Sequence, residues 1–244
     1  MHKILLFFII ILAFFTRSFF WFYGYNENAE VTFWTGLVLH GDGYFSYSKL
    51  FIENFYKEGL SLNSINYDWF RWYQVMYPLY MTPIFLFDLH PSIYIFLLHH
   101  FFLMITILLI YLSGSLIGNK WVGLIAALGY ACQLHIAFWF NFTLPSVTFH
   151  FHLSIFMYCS LLAWKNMNLF SILLCLLSGF VLGFIRPEGF LIFLSGFLIL
   201  TVLVLKQFLK IKTLIFSCLI FLVSISLLGY FLLKNNINLQ NKIL

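Results

Sequence analysis

Long apolar runs separated by short polar connections make up most of the chain. A helix needs about 20 apolar residues to cross the roughly 30 Å hydrocarbon core of a bilayer, because each residue adds about 1.5 Å. Seven runs come close to this length, so the pattern predicts an all-α, multi-pass membrane bundle of about seven transmembrane helices. The predicted spans are 4–23, 92–112, 121–140, 147–164, 169–185, 189–205 and 213–233.

The first apolar run has the features of an N-terminal anchor. It follows Lys3, as the apolar part of a secretion signal would. The residues toward its end, Thr16, Arg17, Ser18 and further aromatics, form no small-residue cleavage site. We therefore expect this run to be retained in the membrane.

One shorter apolar segment, 77–89, decides the predicted topology. It contains Pro78 and Pro83, and a helix of its length would reach only about 20 Å, too little to cross. Five lysines follow this segment: Lys120, Lys165, Lys206, Lys210 and Lys212. If the segment lies within one leaflet, these lysines fall on the same side as Lys3, which the positive-inside rule assigns to the cell interior. All carboxylates and arginines then lie at or toward the outer face.

Composition excludes several classes of protein. The chain is 63% hydrophobic and 9% charged, with a mean hydropathy of +0.97, whereas a water-soluble domain of 244 residues needs a largely polar exterior. About half of the basic residues are lysines that flank apolar runs, so the net charge of +5 is a signal of orientation and not of nucleic-acid binding. The four cysteines have no CxxC spacing, which argues against a disulfide framework or a zinc site.

Residues 24–91 are predicted to form an outer cap on a single membrane domain that comprises residues 1–244. Aromatic residues recur among the charges of this segment, a composition expected of amphipathic helices lying in the membrane interface. Between about 46 and 58, for example, Phe51 and Phe55 share one helical face while Lys57 lies on the neighbouring one. The alternative is an exposed loop that only solubilises this face.

Two polar elements of the predicted cap are candidates for chemistry. In the first, at 40–44, glycines on both sides of Asp42 allow a tight turn from which the carboxylate projects, although an ordinary Asp-Gly turn would look the same. In the second, Arg71 and Gln74 come just before the apolar segment 77–89. There the guanidinium could pair with a lipid phosphate, or it could simply anchor the chain at the interface.

A third polar element, Arg-Pro-Glu-Gly at 186–189, interrupts a long apolar run. Its proline and glycine predict a tight outward hairpin between two helices, with Arg186 placed to hold a lipid phosphate bidentately. A pair between Arg186 and Glu188 that only caps the hairpin is the alternative. Just upstream, Gly179 and Gly183 form a GxxxG step, which favours close helix packing rather than chemistry.

Taken in order along the chain, these elements resemble the GT-C superfamily of integral-membrane glycosyltransferases. The resemblance rests on an arginine near the outer end of the first span, Asp-Gly-Tyr at 42–44, Arg-x-x-Gln followed by Tyr-Pro-Leu within 71–79, and Arg-Pro-Glu-Gly at 186–189. It covers roughly residues 1–205. The superfamily includes protein O-mannosyltransferases, lipid A aminoarabinose transferases and bacterial relatives, and its donors are polyprenyl-phosphate sugars.

The resemblance implies a role for each element. Asp42 is the expected catalytic base, and Arg71 and Arg186 are the expected contacts to the donor phosphate. The implied reaction moves the sugar to a hydroxyl of a glycan, lipid or protein acceptor, in one inverting displacement, at the outer face of the bacterial cytoplasmic membrane. The full set of expected substrate and lipid-phosphate contacts is His40, Tyr44, Arg71, Gln74, Arg186 and Glu188.

Departures from the superfamily pattern bear on a metal site. Relatives often carry a second arginine after the glutamine, where this chain has Val75, and an acidic residue near the outer start of the fourth span, where 143–146 has none. His150 and His152 lie at that place, but their spacing points them to different helix faces. We therefore expect no cofactor, and a divalent metal is the disfavoured alternative.

The sequence leaves two other functions open. Many relatives continue with further helices, so a non-catalytic or truncated scaffold of the same superfamily is the stronger alternative. A small transporter is the weaker one, because transport needs ionisable residues along the spans. The predicted spans hold few such residues besides His99, His100 and His135.

Overall fold

The computed structural model describes residues 1–27, 76–89, 91–133, 146–166 and 169–205, with Lys49 and Glu53 as isolated positions. Within these ranges the chain forms seven helices and no strand, which agrees with the predicted all-α class. The helices are α1 (His2–Glu27), α2 (Met76–Leu86), α3 (Pro91–Ile117), α4 (Lys120–Ala131), α5 (Ser146–Asn166), α6 (Leu169–Gly183) and α7 (Pro187–Leu205).

Three of these helices are long and apolar enough to cross a membrane. Their apolar stretches are His2–Phe19, Ile93–Ile117 and Ser146–Asn166, whereas those of α4, α6 and α7 are shorter. Six of the predicted spans overlap a helix, but three of those helices fall short of spanning length within the described residues. The predicted span 213–233 and most of the predicted cap lie outside the described residues.

The segment predicted to be too short to cross the membrane forms α2, a helix of 11 residues. At 1.5 Å per residue it is about 16 Å long, roughly half the thickness of the hydrocarbon core. Pro83 lies inside the helix, and the chain leaves it through Asp88, whose φ of 48° is a left-handed conformation that aspartate tolerates better than most residues. The Leu89 amide donates to the Ile84 carbonyl at 2.9 Å and so satisfies one terminal carbonyl.

Helices α3 and α4 form a tight antiparallel pair. The side chain of Asn119 caps the start of α4 by accepting from the amides of Trp121 and Val122. A Cβ atom added at Gly114 would lie 2.8 Å from the α carbon of Gly123, so the two backbones are in contact there. A side chain at either glycine would force the helices apart.

Helices α5, α6 and α7 pack through small residues. The Ser160 hydroxyl of α5 lies 3.2 Å from the sulfur of Cys175 in α6. One turn further along α6, a Cβ atom added at Gly179 would lie 2.9 Å from ring carbons of Phe156 and Phe193. Later residues of α6 thus contact earlier residues of α5, which makes the pair antiparallel. The contact also confirms that the GxxxG step serves close packing.

Two clusters of buried apolar side chains hold the described helices together. The first cluster lies among α1, α3, α4 and the start of α5, and the second lies among α5, α6 and α7. The first comprises Leu6, Ile9, Ala13, Phe102, Leu103, Ile107, Leu124, Ala127, Ala131 and Val147, and the second comprises Phe156, Cys159, Ala163, Ile172, Cys175, Leu176 and Phe193.

The two ends of the first cluster differ in the basic residue they carry. At one end, which we call the lysine end, the ring of His2 packs edge-on against that of Trp121 at 4.9 Å, beside Lys3 and Lys120 in the sequence. At the other, which we call the arginine end, Arg17 lies against the last carbonyls of α4. Helices α1 and α4 therefore run in parallel from the lysine end to the arginine end.

Candidate functional site

The arginine end holds a fully buried cation. One guanidinium nitrogen of Arg17 donates to the carbonyl of Ala131 and another donates to that of Tyr130 at 3.2 Å. Carbonyls at the end of a helix lack helical partners and carry the negative end of its dipole. The charge of Arg17 is thus stabilised by backbone dipoles of α4, and no described carboxylate is paired with it.

Three buried imidazoles at this end each meet a hydroxyl group from a different helix. Two of them are neighbours in α3 and the third lies in α5. The contacts join α1 to α3, α2 to α3 and α2 to α5, so the hydrogen bonds help to fix how these helices are arranged. The pairs are Ser18 with His100 at 3.2 Å, Tyr77 with His99 at 3.3 Å and Tyr80 with His152 at 2.7 Å.

The tautomer of one imidazole follows from its contacts. Nδ1 of His100 lies 2.8 Å from the carbonyl oxygen of Phe96, which can only accept, so Nδ1 carries the proton. In the neutral ring Nε2 then accepts from the hydroxyl of Ser18. The ring also packs edge-on against that of Phe14 at 4.6 Å.

Helix α2 is tied to the bundle by backbone and side-chain bonds. The Met76 amide donates to the carbonyl of Phe184, between α6 and α7, at 3.3 Å. The hydroxyl of Tyr94 donates to the Tyr80 carbonyl at 2.8 Å. Burial raises the pKa of the Tyr80 phenol, whose hydroxyl forms a hydrogen bond of 2.7 Å with Nε2 of His152. The half-length helix is thus bonded to α3, to α5 and to the turn between α6 and α7.

The predicted hairpin is present between α6 and α7. Helix α6 ends at Gly183 and α7 begins at Pro187, a residue suited to a first helical position because it lacks an amide hydrogen. Arg186 and Glu188 form an ion pair at 3.3 Å, and their side chains are 40% and 55% exposed. The Arg186 guanidinium also lies 5.6 Å from the ring centre of Phe149. Arg186 is therefore close to the start of α5 and accessible.

Several buried polar atoms have no hydrogen-bond partner within the described part of the chain. Three of them are at the arginine end: Nε of Arg17, the hydroxyl of Thr148 and Nδ1 of His150. The ring of His150 stands edge-on to that of Tyr130 at 6.2 Å. Buried polar groups are almost always paired, so three unpaired ones in one region indicate a place where another group could bind.

The described residues include only part of the predicted site. Arg186 and Glu188 lie where the hairpin was expected, and they contact each other. Asp42, His40, Tyr44, Arg71 and Gln74 lie outside the described residues.

The sequence interpretation did not include the buried polar groups in the site. Arg17 was expected only near the outer face, and His99 and His100 were considered only as ionisable residues that a transporter would need. The missed signal was an ionisable residue within an apolar run, which by default marks function in a membrane protein. Within the described ranges, no three histidine, cysteine or acidic side chains are grouped so that they could hold a metal ion.

Comparison of the chain with protein-family models, with curated proteins and with solved structures finds no match. A functional interpretation therefore rests on the motifs and on the geometry of the arginine end.

Proposed function

We propose that the chain is an integral-membrane glycosyltransferase of the GT-C superfamily. It transfers a sugar from a polyprenyl-phosphate donor to a hydroxyl of a glycan, lipid or protein acceptor, with inversion at the anomeric carbon. In this proposal seven spans cross the bacterial cytoplasmic membrane, the N-terminus is inside, and the cap 24–91 covers the site on the outer face.

One hydrogen bond carries the proposal. The Met76 amide donates to the Phe184 carbonyl at 3.3 Å, and Arg186 follows Phe184 by two residues. Gln74 precedes Met76 by two residues, so its α carbon can lie at most about 7.6 Å from that of Met76. The start of α2, which directly follows the second motif in the sequence, therefore lies beside the turn that carries the third, and this supports a phosphate site shared by the two motifs.

The chemistry needs one base and a fixed positive charge. Asp42 takes the proton from the acceptor hydroxyl as its oxygen attacks the anomeric carbon, while His40 and Tyr44 flank the base and contact substrate. Arg186, with Arg71, stabilises the charge that grows on the departing phosphate. Because the leaving group is already an anion, the reaction requires neither a strong general acid nor a cofactor.

The direct test is sugar transfer by the purified chain in lipid nanodiscs, with a polyprenyl-phosphate sugar as donor. Asp42→Asn should lower the rate at least about hundredfold, the usual contribution of a general base. Asp68→Asn, which removes another carboxylate of the predicted cap, should leave it unchanged. Normal turnover by Asp42→Asn would end the assignment, and donor binding without transfer by the wild type would favour a non-catalytic scaffold.

A second candidate function is favoured by the buried imidazoles. Histidine and arginine side chains inside a membrane bundle also occur along proton and substrate pathways of transporters. His99, His100 and His152 are of this kind, since all three are buried and bonded to hydroxyl groups of other helices. Proton flux into liposomes that is lost in His152→Leu would support transport over sugar transfer.

A further inference from the structure

An apolar groove lies between α1 and α4 on the surface of the first cluster. Its volume is about 630 Å³, within the range of sites that bind small molecules. All of the side chains that line it are apolar, so the molecule that suits it is a hydrocarbon chain and not a polar ligand. The lining includes Leu5, Leu12 and Phe15 of α1 and Trp121, Ile125 and Leu128 of α4.

The groove is about as long as one leaflet of a bilayer is deep. Its lining on α1 extends from Leu5 to Phe15, a distance of about 15 Å at 1.5 Å per residue. The hydrocarbon core is roughly 30 Å thick, so one leaflet contributes about half of that. On α4 the lining begins at Trp121, in the first turn of the helix. Because α1 and α4 are parallel, the groove starts near the lysine end and follows both helices toward the arginine end.

Two unpaired lysines mark the end of the groove at which both helices begin. The rings of His2 and Trp121 are 4.9 Å apart, and Lys3 and Lys120 are their neighbours in the sequence. Both lysines are exposed, and neither has an ion-pair partner among the described residues. No acidic residue occurs in 89–187 of the sequence, which contains all of α4. The positive ends of two helix dipoles add to this charge, so this end of the groove attracts an anion.

We infer that this groove binds an anionic phospholipid. One acyl chain lies along the groove, and the headgroup phosphate pairs with Lys3 and Lys120. Lysines beside a bilayer attract anionic headgroups, whereas the apolar groove alone does not distinguish one headgroup from another. The lipid site is at the lysine end, and it is separate from the sugar-donor site proposed for the outer face.

The first test concerns the headgroup. Phosphatidylglycerol, which is anionic, and phosphatidylcholine with the same acyl chains are titrated separately onto the purified full chain in a non-ionic detergent, and native mass spectrometry counts the lipids bound. We expect the wild type to bind one phosphatidylglycerol saturably, and more tightly than phosphatidylcholine. Lys3→Gln combined with Lys120→Gln should weaken phosphatidylglycerol binding about thirtyfold, or about fivefold for each lysine, and should change phosphatidylcholine binding much less. The matched control is Lys165→Gln, an exposed lysine in the last turn of α5, which should leave both affinities unchanged.

The second test concerns the acyl chain. Ile125 is 69% exposed and lines the groove, so Ile125→Trp should fill part of it without disturbing the core. We expect both lipids to bind about tenfold more weakly, which corresponds to about two methylene groups that are no longer buried. The matched control is Leu191→Trp in α7, where the side chain is 67% exposed and lies outside the groove.

Three results would overturn the inference. One is an unchanged affinity for phosphatidylglycerol in the double lysine variant or in Ile125→Trp. Another is the absence of saturable binding by the wild type, which would mean that another segment of the chain covers the groove. The third is a dimer that Ile125→Trp dissociates, which would mean that a second copy covers it. None of these measurements depends on sugar transfer, so the lipid site and the proposed function are tested independently.

Discussion

The two core clusters of the bundle are both apolar, but they differ in how the polar groups beside them are satisfied. Near the second cluster, Ser160 and Ser178 donate to carbonyls of their own helices. Beside the first cluster, Arg17 bonds 114 residues away and Ser18 bonds 82 residues away. The second cluster is thus held mainly by shape, with the contact between Ser160 and Cys175 as a polar link from α5 to α6. Beside the first cluster, buried polar and ionisable side chains themselves join the helices, so they contribute to how this part of the bundle is arranged.

The largest expected effect on stability lies in the second cluster. A Cβ atom at Gly179 would already lie 2.9 Å from two phenylalanine rings, so Gly179→Leu should lower the free energy of unfolding by about 3 kcal/mol. The matched control is Gly129→Leu, because a Cβ atom at Gly129 meets no atom within 4 Å. Unfolding of the purified variants in mixed micelles measures both. Similar stabilities would mean that shape complementarity does not hold α5, α6 and α7 together.

The next effect concerns the buried guanidinium of Arg17. Arg17→Met keeps a side chain of similar length but removes the donors to the carbonyls of Tyr130 and Ala131, so we expect the free energy of unfolding to fall by about 2 kcal/mol. Lys3→Met removes an exposed cation from the other end of the same helix and should leave the stability unchanged. Unfolding of both variants in mixed micelles measures the difference, and equal stabilities would show that these bonds do not hold α1 against α4.

A smaller effect is expected from the hydroxyl–imidazole pairs. Tyr80→Phe removes the hydroxyl that is hydrogen-bonded to His152 and leaves a buried ring nitrogen without this partner, which should cost about 1–2 kcal/mol of unfolding free energy. The change should largely vanish in a His152→Leu background, because the partner is then already gone. Equal losses in both backgrounds would mean that the 2.7 Å contact contributes nothing to stability.

Much of the fold could be predicted because it depends on local pattern. The apolar runs located every described helix, and the two prolines of 77–89 indicated a helix too short to cross, as α2 is. Three described helices reach spanning length where seven spans were predicted, and the rest of that prediction stays open because 213–233 and the later part of 121–140 lie outside the described residues. Within the described ranges α4 ends at Ala131, a stop that the apolar run itself does not mark.

The candidate site was less predictable because its contacts are not local. The hairpin at 186–189 could be predicted from its proline and glycine. The hydrogen bonds from Arg17 to the last carbonyls of α4 depend on how α1 and α4 are aligned. The residue spacing within either helix does not predict that alignment. The same holds for His99 and His152, whose hydroxyl partners come from α2.

The smallest expected effect concerns the exposed ion pair of the hairpin. The side chains of Arg186 and Glu188 are both well exposed, so solvent screens the attraction between their charges. Glu188 also lies in the first turn of α7, where its negative charge interacts favourably with the helix dipole. Both interactions contribute to stability, and both are weak. Glu188→Gln should therefore lower the free energy of unfolding by less than about 1 kcal/mol. It should also slightly strengthen phosphate binding, because the guanidinium loses a competing anion. A loss as large as that of Gly179→Leu would show instead that the pair serves as a cap for the hairpin.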